Sequence, residues 1–114
     1  MVSRVHFEEE KRLLREDLLQ MGVRVEEDLR KALAAFRAQD EKLAAEVKAG
    51  DAVVNEFQRA IEDRSARLLA TQQPVAQDLR FLVASIKVAD QLERIGDHAV
   101  HLAKAAIKLR KEPY

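Results

Sequence analysis

The sequence predicts an all-α protein, an antiparallel up-down-up bundle of three long helices. Apolar residues recur at spacings of three and four along nearly the whole chain, which is the period of an α-helix. Only 3 Gly and 2 Pro interrupt the 114 residues, too few turn residues for a strand-rich fold. The two clearest breaks, near residues 38–40 and 72–74, are short. Short connections between long helices require neighbouring helices to run antiparallel.

Composition limits the architecture and the class of partner. A chain of 114 residues with 47% apolar content can bury one real core, so residues 1–114 are expected to form a single domain. Basic and acidic residues number 20 each, so no overall positive field exists to attract nucleic acid, and nucleic-acid binding is not expected. Cysteine is absent, which excludes disulfides, thiolate catalysis and Cys-based zinc sites. No apolar run approaches the roughly 20 residues that span a bilayer. We therefore expect a cytoplasmic protein without direct membrane insertion.

The first helix is predicted to run from about residue 5 to 37. The acidic run at 8–10 stands near its start, where negative charge interacts favourably with the helix dipole. Its apolar stripe comprises Phe7, Leu14, Leu18, Met21, Val25, Leu29, Leu33 and Phe36.

The second helix is predicted over about 41–71, with Asp40 as its N-cap and Gly50 as a local interruption. The third is predicted over about 75–110, with Pro74 fitting its first turn. The apolar stripe of the third helix comprises Leu79, Leu82, Ile86, Val88, Leu92, Ile95, Ala99, Leu102 and Ala106.

Part of that stripe forms a second apolar arc on the side of the third helix away from Leu82 and Ile86. A single three-helix bundle cannot bury both sides of one helix, so another bundle is expected to pack alongside. We therefore expect a homo-oligomer, most simply a dimer. The arc comprises Val88, Leu92, Ile95 and Ala99.

Acidic residues interrupt the apolar side of the third helix. At 100° per residue, Glu93 falls about 20° and Asp97 about 60° round the helix from Leu82. Folding the chain about its second turn brings Asp51 level with Asp97 and Asn55 level with Glu93, so polar side chains of two helices share one layer. Buried carboxylates without partners are costly, so this layer should hold partners, water or a cation.

The residue types in this layer indicate a metal site. Carboxylate and amide oxygens suit Mg²⁺, Mn²⁺ or iron, and one imidazole nitrogen would make Zn²⁺ possible. The candidate ligands are Asp51, Asn55, Asp90, Glu93, Asp97 and His101.

A plainer interpretation stays open at this point. Glu93 and Asp97 could instead form ion pairs with Arg59, Arg64 or Arg94 at the edge of the bundle. The chain would then be a structural helical association module without bound metal.

Enzymatic function is not expected. No Glu has a His three residues later, which disfavours a di-metal carboxylate oxidase. Ser3, Ser65 and Ser85 lack a plausible neighbouring His and acid for nucleophilic catalysis.

Three ordered motifs carry a family resemblance that covers nearly the whole chain. They are Gly-Asp-Ala-Val-Val-Asn at 50–55, Gln-Pro-Val-Ala-Gln-Asp-Leu-Arg at 73–80, and Asp-Gln-Leu-Glu-Arg-Ile-Gly-Asp at 90–97. In this order and at these separations, the sequence resembles the PhoU family of phosphate-transport regulators.

The resemblance implies a regulatory adaptor rather than an enzyme. It implies metal binding on the bundle through Glu93 and Asp97, with Asp51 and Asn55 as the facing motif, and His101 standing where relatives often have Asn. It also implies contacts with the ATPase subunit of the phosphate ABC transporter and with a membrane sensor histidine kinase, restraining phosphate uptake and the starvation response. PhoU proteins resemble two tandem three-helix bundles, so this single copy would be either a fragment or a half-length protein that pairs with itself.

Overall fold

The structure of this chain, a computed structural model, describes residues 4–112 and contains three helices. They are α1 (Arg4–Ala38), α2 (Glu41–Gln72) and α3 (Ala76–Lys111). The predicted spans 5–37, 41–71 and 75–110 are therefore confirmed to within one residue at every end. Each helix packs against both others in an elongated three-helix bundle. The single domain over 1–114 stays a prediction, because 1–3 and 113–114 lie outside the described residues.

Local chemistry explains where the helices begin and end. The Asp40 side chain accepts a hydrogen bond from the Leu43 backbone N–H at 3.1 Å, which confirms the predicted N-cap of α2. Gln39 and Gln73 adopt left-handed conformations with φ of 52° and 45° as the chain leaves α1 and α2.

Two details of the predicted helix starts were wrong. Val75 is the N-cap of α3 and has no side-chain capping bond, so Pro74 precedes the first turn instead of forming part of it. Because α1 begins at Arg4, its first turn holds no acidic residue, and the acids at 8–10 fall in the second turn.

The core contains two clusters with different side-chain sizes. The first, in the half of the bundle nearer the second turn, is built mainly from large side chains. Its buried members are Phe7, Leu14, Met21, Val25, Val54, Ile61, Leu68, Leu82 and Ala89. The second cluster, nearer the first turn, is built almost entirely from alanine. Its buried members are Ala32, Ala35, Ala44, Val47, Ala99, Ala103 and Ala106, and the partly buried Leu29, Leu43, Leu102 and Ile107 pack against them.

Alanine packing changes which apolar residues face solvent. Ala32 and Ala35 are fully buried, whereas Leu33 is 52% exposed and Phe36 is 40% exposed. The prediction that Leu33 and Phe36 continue the core stripe of α1 was wrong. Helices that meet through alanine approach closely, and the larger neighbouring side chains are left at the margin.

The second apolar arc of α3 is smaller than predicted. Ala99 is fully buried and Leu92 packs against the large-residue cluster, so neither is available to a partner. Val88 and Ile95 remain 45% and 40% exposed. On the other side of α3, Leu79 is also 43% exposed and does not belong to the core.

One buried carboxylate fastens the start of α1 to the start of α3. Asp78 is 2% exposed and accepts hydrogen bonds from Arg4 and from Lys11, whose Nζ lies 2.9 Å from Asp78 Oδ1. Hydrogen bonding to these two cations holds the pKa of Asp78 below its ordinary value. Lys11 and Arg15 also lie 5.5 Å and 5.0 Å from the centre of the Phe81 ring.

Candidate functional site

The predicted polar layer lies where all three helices come close together. A Cβ atom added at Gly96 would lie 3.3 Å from Val54 Cγ1 on α2 and 3.9 Å from Val25 Cγ2 on α1. This contact confirms that residues near 93–97 are level with residues near 51–55. It also places the layer at the junction of the large-residue and alanine clusters.

We use the name acidic strip for Asp51, Asn55, Asp90, Glu93 and Asp97. The half-buried carboxylate of Glu93 is its electrostatic centre. Burial raises the pKa of Glu93 above its ordinary value, and Asp97 raises it further by hydrogen bonding and by charge. The negative charges of Asp51 and Asp90 act in the same direction. Three of the predicted carboxylates therefore lie near Glu93.

Asp51 carries an unsatisfied oxygen. Asn55 Nδ2 donates a long hydrogen bond of 3.4 Å to Asp51 Oδ2. Asp51 Oδ1 is buried and has no hydrogen-bond partner among the residues that the structure describes. A buried acceptor without a partner is uncommon in native proteins and calls for a bound water or ion.

The strip continues along the edge between α2 and α3 towards the second turn. Gln58 Nε2 donates a hydrogen bond of 2.8 Å to Asp90 Oδ1. Burial, followed by the charge of Asp90, raises the pKa of Glu62. Gln58 and Glu62 of α2 thus both interact with Asp90 of α3.

Basic side chains do not neutralise the centre of the strip. Within residues 4–112, no Lys, Arg or His nitrogen forms an ion pair with Glu93 or Asp97. Arg64, one of the partners considered for them, instead bonds Glu10 with an Nη1–Oε2 distance of 2.8 Å. In the described part of the chain, Glu93 and Asp97 therefore lie near other acids without a compensating cationic side chain.

His101 does not join the acids through any contact in the described part of the chain. It is exposed, and its ring packs edge-on against His98 with the ring centres 6.3 Å apart. Nor do any three His, Asp or Glu side chains in residues 4–112 already surround one point where a metal could bind. The donors are the hard oxygens that Mg²⁺, Mn²⁺ or iron prefer, but side chains would have to rotate towards a shared ion. The metal site and its six ligands stay a prediction.

Sequence reasoning missed a second buried acid near this layer. Asp28 is 4% exposed and pairs with Arg24, whose Nε lies 3.3 Å from Asp28 Oδ1. Burial raises the pKa of Asp28, and Arg24 partly offsets that effect. A Cβ added at Gly50 would lie 2.7 Å from Arg24 Nη2 and 3.2 Å from the Asp28 oxygens, so Gly50 makes room for this pair. The available signal was position, since Asp28 follows Met21 by seven residues on the buried side of α1.

A protein-family comparison covers the whole acidic strip. The family model described as PhoU domain matches residues 18–106, most of the chain. The chain belongs to the PhoU family.

Similarity to named PhoU proteins extends over nearly all of this PhoU chain. It is 38% identical over 114 residues to the phosphate-specific transport system accessory protein PhoU homolog of Clostridium acetobutylicum, covering 99% of the chain and 52% of that protein. It is 34% identical to PhoU homolog 1 of Thermotoga maritima, covering 98% of the chain and 48% of that protein. The PhoU protein of Edwardsiella tarda is 39% identical over 90% of the chain, which covers 42% of that protein.

The chain therefore spans about half the length of the curated relatives it matches. The resemblance to PhoU and the predicted helical bundle are both confirmed. None of the three helices described between residues 4 and 112 contains an apolar stretch of the length that a bilayer span requires.

Proposed function

We propose that this PhoU domain is a regulatory accessory module of a phosphate transport system that binds metal through its acidic strip. One observation carries the metal part of the proposal. The half-buried Glu93 carboxylate lies near Asp51, Asp90 and Asp97, without a basic side chain among the described residues to balance them. The neighbouring negative charges disfavour the deprotonated form of Glu93. A bound cation would favour that form instead.

The ligands proposed are Asp51, Asn55, Asp90, Glu93 and Asp97, with His101 as a nitrogen donor if its side chain turns towards them. Such a set suits Mg²⁺, Mn²⁺ or iron, and Zn²⁺ if the imidazole binds. The bound metal would supply fixed positive charge that joins α2 to α3. The chain's own contribution is to hold the oxygens level on two helices, with Gly96 allowing those helices to approach closely.

The partner part of the proposal rests on the names of the relatives, which are accessory proteins of phosphate-specific transport. We propose that the chain acts in the cytoplasm as a non-enzymatic adaptor. It would contact the ATPase subunit of the phosphate ABC transporter and a membrane sensor histidine kinase, and it would restrain phosphate uptake and starvation signalling. Self-association into a dimer belongs to the same proposal.

Metal retention tests the site. Purified chain loaded with Mn²⁺, iron or Zn²⁺ and then desalted should keep metal, whereas the double variant Glu93→Gln with Asp97→Asn should lose it. The matched control is Glu56→Gln with Asp63→Asn, which removes the same two charges from exposed positions of α2. Elemental analysis gives the bound metal per chain. Equal retention by the strip variant and the control variant would refute the assignment.

Capture of the transporter tests the adaptor function. The chain immobilised on a resin should retain the purified ATPase subunit of the phosphate transporter. Retention should weaken when the metal is removed by chelator if the strip organises the partner-binding surface. Absence of binding with and without metal would reject the adaptor proposal while leaving the metal result unaffected.

A structural association module is the second candidate, and one observation favours it. No three potential ligands in the described part of the chain already enclose a metal position. In that case the midpoint of thermal unfolding should not respond to chelator or to added metal. A ligand that binds only the native state would raise it.

A further inference from the structure

A separate cavity lies at the end of the bundle where α1 starts and α2 ends. Its volume is about 190 Å³, and its lining includes His6, Glu10, Arg64, Arg67 and Thr71. It lies away from the acidic strip, and it contributes nothing to the function proposed above.

Arg64 is held at this cavity in one orientation. Its Nη1 donates a hydrogen bond of 2.8 Å to Glu10 Oε2, and the Arg64 side chain is only 24% exposed. The other Glu10 oxygen lies 3.6 Å from His6 Nε2. Glu10 thus fixes the guanidinium through one of its terminal nitrogens.

The Nε of Arg64 is buried and has no hydrogen-bond partner in the described residues. In a guanidinium the Nε–H and Nη2–H bonds point the same way and match two oxygens of one carboxylate or phosphate. Arg12 of this chain uses that pair of donors on the Glu9 carboxylate, with distances of 3.0 Å and 2.6 Å. Within residues 4–112, Arg64 Nε lacks such a partner, and a buried unpaired donor calls for a water or an ion.

The remaining lining favours a negative ligand. Arg67 has no ion-pair partner in the part of the chain that the structure describes, whereas Glu10 is already bonded to Arg64. Two arginines and one carboxylate leave the cavity with a net positive charge. The Thr71 hydroxyl donates to the Arg67 carbonyl oxygen at 2.7 Å and accepts from Gln72 Nε2 at 3.4 Å, so the positive charge of the cavity comes from the arginines alone.

We infer that this cavity is a binding site for a small oxyanion, held by the Nε and Nη2 donors of Arg64 and by the charge of Arg67. Inorganic phosphate is the probe, and sulfate and acetate are the comparison anions. Binding of phosphate and sulfate without acetate would indicate a tetrahedral anion, and binding of all three would indicate a general oxyanion site.

Calorimetric titration with phosphate tests the inference, with chelator present so that the acidic strip holds no metal. Phosphate should bind the wild-type chain and raise its midpoint of thermal unfolding. Arg64→Lys keeps the charge but loses the paired donors, so it should weaken binding by about tenfold or more. Arg12→Lys is the matched control, because the paired donors of Arg12 are already filled by Glu9, and it should bind like wild type.

A second variant, Arg67→Ala, keeps the test valid if Arg64→Lys does not fold. Because Arg67 is exposed, its removal should leave the chain folded and should weaken phosphate binding. Circular dichroism checks the fold of each variant. The inference is overturned if phosphate and sulfate give neither heat nor a rise in the unfolding midpoint at millimolar concentration. Equal affinity in wild type and Arg64→Lys would also overturn it, since phosphate would then bind without the paired donors of Arg64.

Discussion

Among individual residues, Glu93 is the one whose surroundings conflict most with its charge. The titratable groups that shift its pKa are all acids, and the carboxylate is half-buried. Buried acids such as Asp78 and Asp28 in the same bundle bond to basic side chains instead. A buried carboxylate without such a partner destabilises the folded chain when it is deprotonated. Protonation or a bound cation removes this cost.

The raised pKa of Glu93 predicts how pH changes stability in the metal-free chain. Below the ordinary glutamate value of 4.5 the side chain is protonated in both the folded and the unfolded state. As pH rises through the higher folded-state pKa, the unfolded state loses its proton first, so the free energy of unfolding falls. Glu93→Gln should therefore be more stable than wild type near neutral pH, and the difference should vanish below pH 4.5.

Urea denaturation near neutral pH and below pH 4.5, with chelator present, measures the difference in the free energy of unfolding between wild type and Glu93→Gln. Glu56→Gln on the exposed side of α2 is the control and should leave the free energy of unfolding nearly unchanged at both. If Glu93→Gln proved less stable than wild type near neutral pH, the charge conflict described for Glu93 would be incorrect.

The sequence was sufficient to locate Glu93 and Asp51. The position of the turn fixes their level along the bundle, and the helix period fixes the face of the helix on which each lies. It was insufficient for His101, since helical angle alone does not decide which way an exposed ring turns. It was also insufficient for Arg64, whose choice between Glu10 and Glu93 depends on distances between helices. The residue pattern predicts which face of a helix a side chain lies on. Contacts between long side chains depend in addition on how the helix backbones pack together.

At the scale of helices, Gly96 and Gly22 differ in whether a neighbouring helix packs against them. Gly96 faces Val54 closely, whereas a Cβ at Gly22 on α1 would meet nothing within 4 Å. Gly96 therefore sets the separation of α2 and α3 at the acidic strip. Gly22 only lowers the helix propensity of α1.

Alanine substitution should separate these two roles. Gly96→Ala should lower the free energy of unfolding, because Val54 at 3.3 Å is buried and β-branched and cannot easily move away, so an overpacking cost of up to about 3 kcal/mol outweighs a propensity gain of about 1 kcal/mol. Gly22→Ala should raise it by about 1 kcal/mol, since only the propensity gain applies. Chemical denaturation of both variants gives the two values.

A double variant identifies the cause of the Gly96 effect. When Val54→Ala removes the methyl groups that the new Cβ would meet, Gly96→Ala should become neutral or stabilising. An unchanged penalty in the Val54→Ala background would mean that the close approach of α2 to α3 does not depend on this contact.

Helix boundaries followed from the sequence with unusual accuracy because both turns are short and the first ends with a capping aspartate, Asp40. The loop conformation itself did not follow, because Gln39 and Gln73 occupy left-handed positions that glycine usually fills. The predicted core of α1 failed only where alanine replaced large residues. Periodicity marks the buried side of a helix but does not show which of two adjacent stripes packs more closely.

At the scale of the whole molecule, exposed apolar side chains on α3 fall on two sides. Val88 and Ile95 remain from the predicted second arc, and Leu79 and Val83 lie on the other side at 43% and 39% exposure. An apolar surface of this kind marks a place where another bundle can pack. The relatives are about twice as long as this chain. We therefore propose that a second bundle packs against Val88 and Ile95.

Light scattering on the chain at tens of micromolar should therefore show a dimer. Val88→Ser with Ile95→Ser should convert it to monomer while the helix content stays the same. Leu79→Ser with Val83→Ser is the control and should leave the dimer intact. A monomeric wild type, or dissociation by the control pair alone, would refute packing through Val88 and Ile95.

The division of the core into a large-residue half and an alanine half implies that the bundle does not open uniformly. Each buried methylene contributes about 0.8 kcal/mol, so the alanine half gains less from burial than the half containing Leu14, Ile61 and Leu82. Backbone amides near the first turn should exchange with deuterium sooner than those near the second. The acidic strip lies at the boundary, so a cation bound there would slow exchange mainly in the weaker half.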